Sequence, residues 1–215
     1  MAVKLVKPIN HKKVVKITNQ DFEAKMRELR VNSDIAVAVS GGPDSLALMH
    51  LSNRYALNNN INLTVLSIDH GIRAESSKEI VWLEKIAKKN KINFYSTKLQ
   101  TKINSSNTLF KARTLRYEAL SKYCNKKKIK FLLTAHHLDD EIENFLMRLI
   151  RGSGIKGLSS LKVKSRYKNT KLILVRPLLE YSKKSLIAYL SEQKQTYIND
   201  RTNYDNKYDL SLIHI

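Results

Sequence analysis

Residues 35–45 read Ile-Ala-Val-Ala-Val-Ser-Gly-Gly-Pro-Asp-Ser. The aliphatic half is typical of a buried parallel strand, and the apolar pattern after Asp44 is typical of a helix. Two glycines between strand and helix let backbone N–H groups turn towards an anion, and the start of the helix adds unpaired donors. The sequence therefore predicts a phosphate-binding turn. Its candidate residues are Ser40, Gly41, Gly42, Pro43, Asp44 and Ser45.

Asp44 distinguishes this turn from a Walker A loop, because no Gly-Lys-Ser/Thr follows the two glycines. A carboxylate beside a phosphate nest makes chemical sense if it helps to hold Mg²⁺ against the anion. Asp44 is therefore the candidate metal ligand. The alternative is a tight turn in which Asp44 only caps the helix.

Short apolar runs alternate with helical patterns along the chain, which is typical of βαβ units. Predicted strands cover residues 35–39, 63–68, 92–95, 131–134 and 172–175. Predicted helices begin at Thr18 and Asp44 and also cover residues 80–87, 109–124, 138–150 and 182–192. The helix over 138–150 carries the most regular apolar stripe and ends at Gly152. The predicted fold class is α/β, a doubly wound parallel sheet of about five strands with helices on both faces.

Basic residues dominate the charge of the chain, with 39 Lys and Arg against 19 Asp and Glu, a formal charge of +20. The excess favours a polyanionic partner, nucleic acid first, although solvated lysines from an AT-rich coding background would give the same total. Between Arg151 and Arg176 there is no Asp or Glu, so this segment is a candidate for RNA contacts. The RNA-binding candidates are Arg148, Arg151, Lys156, Lys162, Lys164 and Arg166.

Cys124 is the single cysteine, which excludes an internal disulfide, an all-cysteine zinc site and a C-x-x-C redox pair. This usage fits a reducing compartment, and we expect the cytoplasm. No run approaches the roughly 18 apolar residues that a membrane span needs, so no membrane partner is expected. The basic, acid-free start of the chain also resembles an organellar transit peptide, but it lacks enrichment in Arg and Ser.

Two histidines and two carboxylates follow the fourth predicted strand: His136, His137, Asp139 and Asp140. They lie at the start of the helix over 138–150, whose polar face we expect along a crevice at the carboxyl edge of the sheet. His137 and Asp140 are candidates for catalysis or substrate binding. The alternatives are a hydrolase-type metal cluster, for which no third ligand group is evident, and capping of the helix by the aspartates.

Arg113 and Arg116 are three residues apart and share one face of the helix predicted over 109–124. There they can clamp a phosphate or an adenylated intermediate. The alternative is that they are solvated surface arginines, as many helix arginines are.

Residues 152–157 fit the dinucleotide pattern G-x-G-x-x-G. A dinucleotide-binding fingerprint follows a strand and opens a helix, whereas this segment follows a helix. We therefore expect a flexible glycine loop that approaches RNA, and no nicotinamide or flavin.

The loop over residues 40–45 matches the Ser-Gly-Gly-x-Asp-Ser pyrophosphate loop of the N-type ATP pyrophosphatases. Enzymes of that superfamily cut ATP between the α and β phosphates and adenylate a substrate oxygen, and a nucleophile then displaces AMP. Within it, the chain resembles the tRNA(Ile)-lysidine synthetase family in segments that run in order over about residues 35–208. Those segments are Asp69-His70-Gly71-Ile72-Arg73, Ala112-Arg113-x-x-Arg116-Tyr117, Ala135-His136-His137-x-Asp139-Asp140, residues 148–158 and Arg176-Pro177-Leu178-Leu179. Glu141 and Asn144 stand where this family usually has Gln and Thr.

The resemblance implies an enzyme that uses ATP and Mg²⁺ to adenylate the wobble cytidine of a tRNA(Ile) with a CAU anticodon. Free L-lysine is then joined to that cytidine through its ε-amine. The implied partners are this tRNA and lysine, and a homodimer is left open. The implied catalytic residues are Asp44, Arg113, His137 and Asp140. The implied nucleotide-binding residues, besides residues 40–45, are Asp69, His70, Arg73 and Arg116.

The resemblance divides the chain into a basic N-terminal segment (1–17), a catalytic domain (18–180) and a C-terminal helix with the start of a linker (181–215). Family members usually continue into domains that grip the tRNA, and residues 209–215 lack the arginines that normally come next. We therefore expect a truncated frame, with residues 210–215 not native. Two alternatives stay open: another adenylating enzyme of the superfamily that acts on tRNA, and an RNA-binding remnant without catalysis.

Overall fold

The computed structural model describes residues 5–6, 16–69, 76–99, 108–152 and 160–198, with backbone alone for residues 5–6 and 108–112. The strands are β1 (Leu5–Val6), β2 (Ile35–Ala38), β3 (Leu63–Asp69), β4 (Asn93–Lys98), β5 (Phe131–Leu133), β6 (Lys164–Arg166), β7 (Ile173–Val175) and β8 (Tyr197–Ile198). The helices are α1 (Asn19–Glu28), α2 (Pro43–Asn59), α3 (Ser76–Lys89), α4 (Thr108–Lys126), α5 (Leu138–Ile150) and α6 (Lys183–Glu192).

Six strands form one sheet in the order β4-β3-β2-β5-β7-β6. All neighbours in it are parallel except β6, which runs antiparallel to β7 at the edge. The chain moves from β2 to β3 on one side and from β5 to β7 on the other, so the winding reverses between β2 and β5. The loops that follow these two strands therefore meet at one crevice on the carboxyl edge, where nucleotides bind in such sheets.

Each face of the sheet packs against its own layer of helices. On one face, α1, α2, α3 and α6 bury strand residues that include Ile35, Val37 and Phe131. On the other face, Leu120 and Cys124 of α4 pack against the alternate strand residues. Two buried faces explain why the inner strands β2, β5 and β7 are continuously apolar, as expected for a parallel sheet. The predicted doubly wound α/β fold is confirmed.

Three strands escaped the sequence-based prediction. The edge strand β6 is short and polar, which is usual at the edge of a sheet and leaves no apolar period to detect. The two-residue strands β1 and β8 pair antiparallel with each other and are too short to show a period. Leu186 and Leu190 of α6 lie in the same core as α1 and α2. The division of the chain at residue 180 stays a prediction.

Helix α5 forms where it was predicted, and Gly152 follows its C-cap Arg151 with a φ of +66°. Its apolar stripe, however, is not buried, and none of its 13 residues belongs to a core. No helix in the described ranges is both long and apolar enough to cross a membrane.

Candidate nucleotide-binding site

The loop after β2 is closed by its own serines. Ser45 Oγ accepts a hydrogen bond from the Ser40 backbone N–H at 3.2 Å and donates one to the Gly42 carbonyl at 3.0 Å. Gly42 is the N-cap of α2 and supplies no side chain to cap it, and Pro43 follows in the first turn. The free N–H groups of that turn are therefore open to an anion, as at other phosphate-binding helix starts.

Gly41 occupies the one position of the loop that demands glycine. Its φ is +93°, and a Cβ built there would lie 2.6 Å from Ile198 Cδ1. The Gly41 carbonyl accepts a hydrogen bond from the Ile198 backbone N–H at 2.9 Å. Strand β8 therefore packs against the loop and holds Gly41 in place. Sequence reasoning missed this role, because nothing in Tyr197–Ile198 indicates it.

Asp44 is the residue that fits a metal ion. Its Oδ1 is buried and has no hydrogen-bond partner, which is unfavourable for a carboxylate oxygen left alone. A hard cation is the kind of group that pairs such an oxygen, and Mg²⁺ is typically held by one or two carboxylates together with substrate phosphates. Within the described ranges, no group of three or more His, Cys, Asp or Glu residues is arranged to hold a metal. The hydrolase-type cluster therefore gains no support.

His137 connects the loop to the turn after β5. It is the N-cap of α5 and is only 5% exposed. Asp140 closes a capping box with it, since Asp140 Oδ2 accepts from the His137 backbone N–H at 2.9 Å. The ring atom Nε2 lies 3.6 Å from Oδ2 of both Asp44 and Asp140. Three of the predicted catalytic residues therefore meet at one point.

The surroundings of His137 favour its protonated form. Burial of the ring lowers the pKa of His137, but the hydrogen bond to Asp44 and the charges of Asp44, Asp140 and Asp139 together raise it above its usual value of 6.5. Asp139 has a structural task as well, because its Oδ2 accepts a hydrogen bond from the Lys183 backbone N–H at 2.6 Å, at the start of α6. Asp139 and Asp140 thus raise the pKa of His137 and also accept hydrogen bonds at the starts of α6 and α5.

His136, in contrast, lies among cations. Its Nε2 is 3.5 Å from an Arg113 guanidinium nitrogen, and its Nδ1 is 3.0 Å from Thr134 Oγ1. Burial, followed by the charges of Arg176, Arg113 and Arg116, lowers the pKa of His136 to about 3. The ring is therefore neutral and can accept a hydrogen bond from Arg113.

Arg113 and Arg116 lie together, as their spacing predicted. Their guanidinium carbons are 5.6 and 5.7 Å from the centroid of the Tyr117 ring, within cation–π distance. Burial lowers the pKa of Arg116, so this side chain is partly withdrawn from water. Arg113 remains exposed and contacts His136.

Arg176 is the residue of this region that sequence reasoning undervalued, since it placed Arg176 in the basic segment and in a motif of the resemblance but assigned it no role in the site. It is 8% exposed, and its Nη1 donates to the Lys162 carbonyl at 2.7 Å and contacts Ser165 Oγ at 3.3 Å. Its Nε is buried without a partner. The Arg-Pro pair directly after a strand was the available signal, because a loop arginine at a carboxyl edge is well placed for function.

Asp69 ends β3 at the carboxyl edge, beside β2, and is 9% exposed. The other residues predicted to border the nucleotide, His70 and Arg73, lie outside the described residues. So do Lys156 and the segment 210–215. Their predicted roles stay predictions.

The RNA-binding candidates divide by exposure. Lys164 is half-buried, donates to the Leu29 carbonyl and lies over the Phe131 ring at 5.3 Å, so it holds β6 to the body of the domain. Arg148 is also half-buried. The exposed candidates are Arg151, Lys162 and Arg166.

A glycine loop at the switch point of a doubly wound sheet, with a carboxylate beside it, defines a nucleotide-binding α/β domain. The family model described as a PP-loop domain matches residues 11–214, and the chain belongs to that family. The superfamily indicated by the loop motif is confirmed.

Among curated proteins, the chain is similar to the tRNA(Ile)-lysidine synthase of Rickettsia bellii (strain OSU 85-389). The two are 44% identical over 181 residues, which cover 84% of this chain and 41% of that protein. This chain is also 40% identical over 197 residues to the tRNA(Ile)-lysidine synthase of Rickettsia typhi (strain ATCC VR-144 / Wilmington). That match covers 90% of this chain and 45% of that protein. The chain thus spans less than half the length of these curated relatives.

Among solved structures, the chain is similar to the U34-tRNA thiolase NcsA from Methanococcus maripaludis, determined with its [4Fe-4S] cluster. The TM-score is 0.70 at 20% identity, and the match covers 91% of this chain and 80% of that one. At this identity the likeness concerns the fold.

Proposed function

We propose that the chain is the catalytic part of a tRNA(Ile)-lysidine synthase, a ligase that forms a C–N bond. In the first step, the base oxygen of the wobble cytidine in a CAU anticodon bonds to the α-phosphorus of ATP, and pyrophosphate leaves. In the second step, the ε-nitrogen of free L-lysine bonds to the base carbon that carries this oxygen, and the nitrogen loses a proton. The C–O bond then breaks, and AMP leaves with the oxygen.

One observation carries the proposal: Asp44 of the glycine loop and His137 of the turn after β5 approach to 3.6 Å. These residues belong to two motifs that lie far apart in the sequence. The resemblance to tRNA(Ile)-lysidine synthetases assigns both motifs to one reaction, and their meeting in a single crevice supports that assignment.

The loop residues have the simplest role. The serine hydroxyls and the open N–H groups at the start of α2 bind the pyrophosphate half of ATP. Mg²⁺ held by Asp44 would offset the charge that develops on the leaving pyrophosphate. Asp69, at the end of the neighbouring strand, borders the adenosine part.

The residues around the histidines arrange the other reactants. Arg113 and Arg116 bind the α-phosphate, and the neutral ring of His136 orients Arg113. His137 and Asp140 hold the incoming lysine and the cytidine in position. Fixed charges in a crevice with little water are an effective means of catalysis, because they need not reorganise during the reaction.

No covalent enzyme intermediate is part of the proposal. Cys124, the single cysteine of the chain, is buried in α4, and burial raises its pKa to about 12. Such a thiol carries almost no thiolate near neutral pH and is a poor nucleophile.

The partners follow from the reaction: tRNA(Ile) with a CAU anticodon, and free L-lysine. The exposed cations Arg151, Lys162 and Arg166 bind the RNA backbone, with Arg148, Lys156 and Lys164 as the remaining candidates. We further propose that the protein forms a homodimer and works in the cytoplasm, which a single buried cysteine suits.

The test is release of AMP and pyrophosphate from ATP in the presence of lysine and a tRNA(Ile) transcript. We expect release that requires a CAU anticodon and is lost in Asp44→Asn, which keeps the shape of the side chain and removes its charge. Asp34→Asn is the matched control, since Asp34 is exposed and, within the part of the chain that the structure describes, its carboxylate accepts hydrogen bonds from Asn62.

Other outcomes separate the alternatives. Release of AMP with any wobble base would indicate a different adenylating enzyme of the superfamily. Salt-sensitive RNA binding without AMP release would indicate a remnant without catalysis.

A further inference from the structure

Two tyrosines stack on each other at the β4 end of the main sheet. Tyr95 belongs to β4 and Tyr123 to α4, and their ring centroids are 4.1 Å apart with an interplanar angle of 29°. Tyr95 is 39% exposed, and Tyr123 is half-buried. Because Tyr95 keeps more than a third of its surface open to water, a further flat ring can stack on the pair.

Lysines lie beside these rings. Four exposed lysines occupy the end of α4 and the turn before β4: Lys91, Lys126, Lys127 and Lys128. Lys126 and Lys127 follow Tyr123 by three and four residues, so they share its face of the helix. Because α4 runs back across the parallel sheet, its last turn lies at the edge where β4 begins. The two tyrosines and the four lysines are named the tyrosine–lysine surface below.

The positive charge of this surface is not compensated. There is no Asp or Glu in residues 85–98 or 119–138. Within the part of the chain that the structure describes, none of the four lysines forms an ion pair. Cations at a helix C-terminus are stabilised by the helix dipole, but α3 and α4 each end with only about half a negative charge. The two helix ends therefore offset roughly one of the four lysine charges.

The backbone at two of the lysines favours glycine. Lys91 and Lys128 have φ values of 57° and 59°, the left-handed conformation that glycine usually adopts after a helix. The turns are held by hydrogen bonds from the Ile92 N–H to the Ala87 carbonyl at 2.9 Å and from Ile129 to Cys124 at 2.8 Å. The chain thus places cations where glycine would be less strained, which is typical of a surface that binds a ligand.

The combination of rings and lysines favours one kind of polyanion. Unpaired nucleobases stack on aromatic side chains whatever their sequence, and lysines beside the rings bind the neighbouring phosphates. The bases of an RNA duplex are already stacked on each other, so a duplex would not use the tyrosines. An anionic membrane would be attracted by the lysines alone. Single-stranded RNA is therefore the partner that uses both parts of the surface.

We propose that the tyrosine–lysine surface binds single-stranded RNA, with a base stacked on Tyr95 and the adjacent phosphates on the lysines. The surface is separate from the crevice, because Arg113 at the crevice and Lys126 are 13 residues apart on α4, which is about 20 Å along a helix. Binding there requires neither ATP nor lysine nor a CAU anticodon. The inference therefore does not depend on the proposed function.

The first experiment measures binding of a fluorescent oligouridylate of about 12 nucleotides to the full chain by anisotropy, without ATP or lysine. We expect Tyr95→Ala to weaken binding by about ten-fold, because the base loses its stacking partner. Tyr95→Phe is the matched control, since it keeps the ring and should keep the affinity of the wild type. Thermal unfolding of both variants shows that they are folded.

A second experiment repeats the titrations at several salt concentrations. Each phosphate contact with a single strand contributes about 0.7 to the slope of log K against log salt, so Lys126→Gln/Lys127→Gln should reduce that slope by about 1.4. The matched control is Lys184→Gln/Lys194→Gln, which removes two exposed lysines in and just after α6, in the opposite helix layer. This control should leave the slope close to that of the wild type.

Three results would overturn the proposal. Equal affinities of Tyr95→Ala and Tyr95→Phe would show that no base stacks on the ring. Equal salt slopes of the two lysine variants would show that the phosphates bind elsewhere. Binding of phosphatidylserine vesicles without binding of the oligouridylate would identify the surface as a membrane contact.

Discussion

His136 and His137 are adjacent in the sequence and have opposite electrostatic surroundings. His136 lies among three arginines, and its pKa falls to about 3. His137 lies among three carboxylates, and its pKa is raised despite its burial. The first ring is therefore a neutral acceptor beside Arg113, whereas the carboxylates around the second ring raise its pKa and favour its protonated form.

We predict that acid destabilises the protein through His136. In the folded chain this ring stays neutral down to about pH 3, whereas in the unfolded chain it takes up a proton near its usual pKa of 6.5. Between those values the unfolded state binds more protons, so stability is lost as the pH falls. His136→Gln keeps a neutral acceptor for Arg113 and should lose less stability between about pH 6.5 and pH 4, measured by urea unfolding.

The comparison has an internal control, because wild type and His136→Gln should be similar in stability near pH 7.5, where His136 is neutral in both states. Parallel losses in the two proteins on acidification would show that His136 is not held neutral by its surroundings.

Arg176 supports the edge of the sheet with two contacts that a lysine cannot reproduce. We predict that Arg176→Lys lowers the free energy of unfolding by about 1–3 kcal/mol, because the Lys162 carbonyl and Ser165 lose a donor in a buried place. Arg166→Lys is the matched control on the adjacent strand, and it should change stability by less than about 0.5 kcal/mol since Arg166 is exposed. Equal effects in denaturant unfolding of the two variants would contradict a structural role for Arg176.

At the scale of elements, the glycine loop depends on strand β8. We predict that Gly41→Ala destabilises the protein by about 1–3 kcal/mol, because alanine at a φ of +93° is strained and its Cβ would press on Ile198. Gly42→Ala should be much milder, since the nearest atom to its Cβ is Ser40 Oγ at 3.9 Å. The two variants are compared by thermal unfolding. Similar losses of stability in both would contradict a specific requirement for glycine at position 41.

The elements themselves were largely predictable from the sequence. The helix that begins after Thr18 forms with the capping box that Asp21 completes, and strands β2, β3, β5 and β7 lie within one or two residues of their predicted positions. These elements have strong periods or specific caps. Strands β6 and β8 have neither, because an edge strand and a two-residue strand are defined by their partners and not by their own composition.

At the scale of the whole molecule, the sequence predicted that the motifs after the second and fourth predicted strands lie along one crevice, but not how closely their residues approach. That Asp44, His137 and Asp140 share a crevice follows from the reversal of winding between β2 and β5, which a motif does not contain. The exposure of the apolar side chains of α5 was not predicted either. An amphipathic pattern indicates that a helix has an apolar neighbour, but it does not say whether that neighbour belongs to the same chain.

The most direct test of the proposed function is the chemical fate of the wobble cytidine. The full chain is incubated with ATP, Mg²⁺, L-lysine and a tRNA(Ile) transcript with a CAU anticodon, and the nucleosides are then analysed by mass spectrometry. We predict a cytidine heavier by one lysyl residue at the wobble position, absent without ATP and absent with Asp44→Asn. An unmodified cytidine in reactions where the tRNA is bound and ATP is present would contradict the assignment of this crevice to lysine transfer.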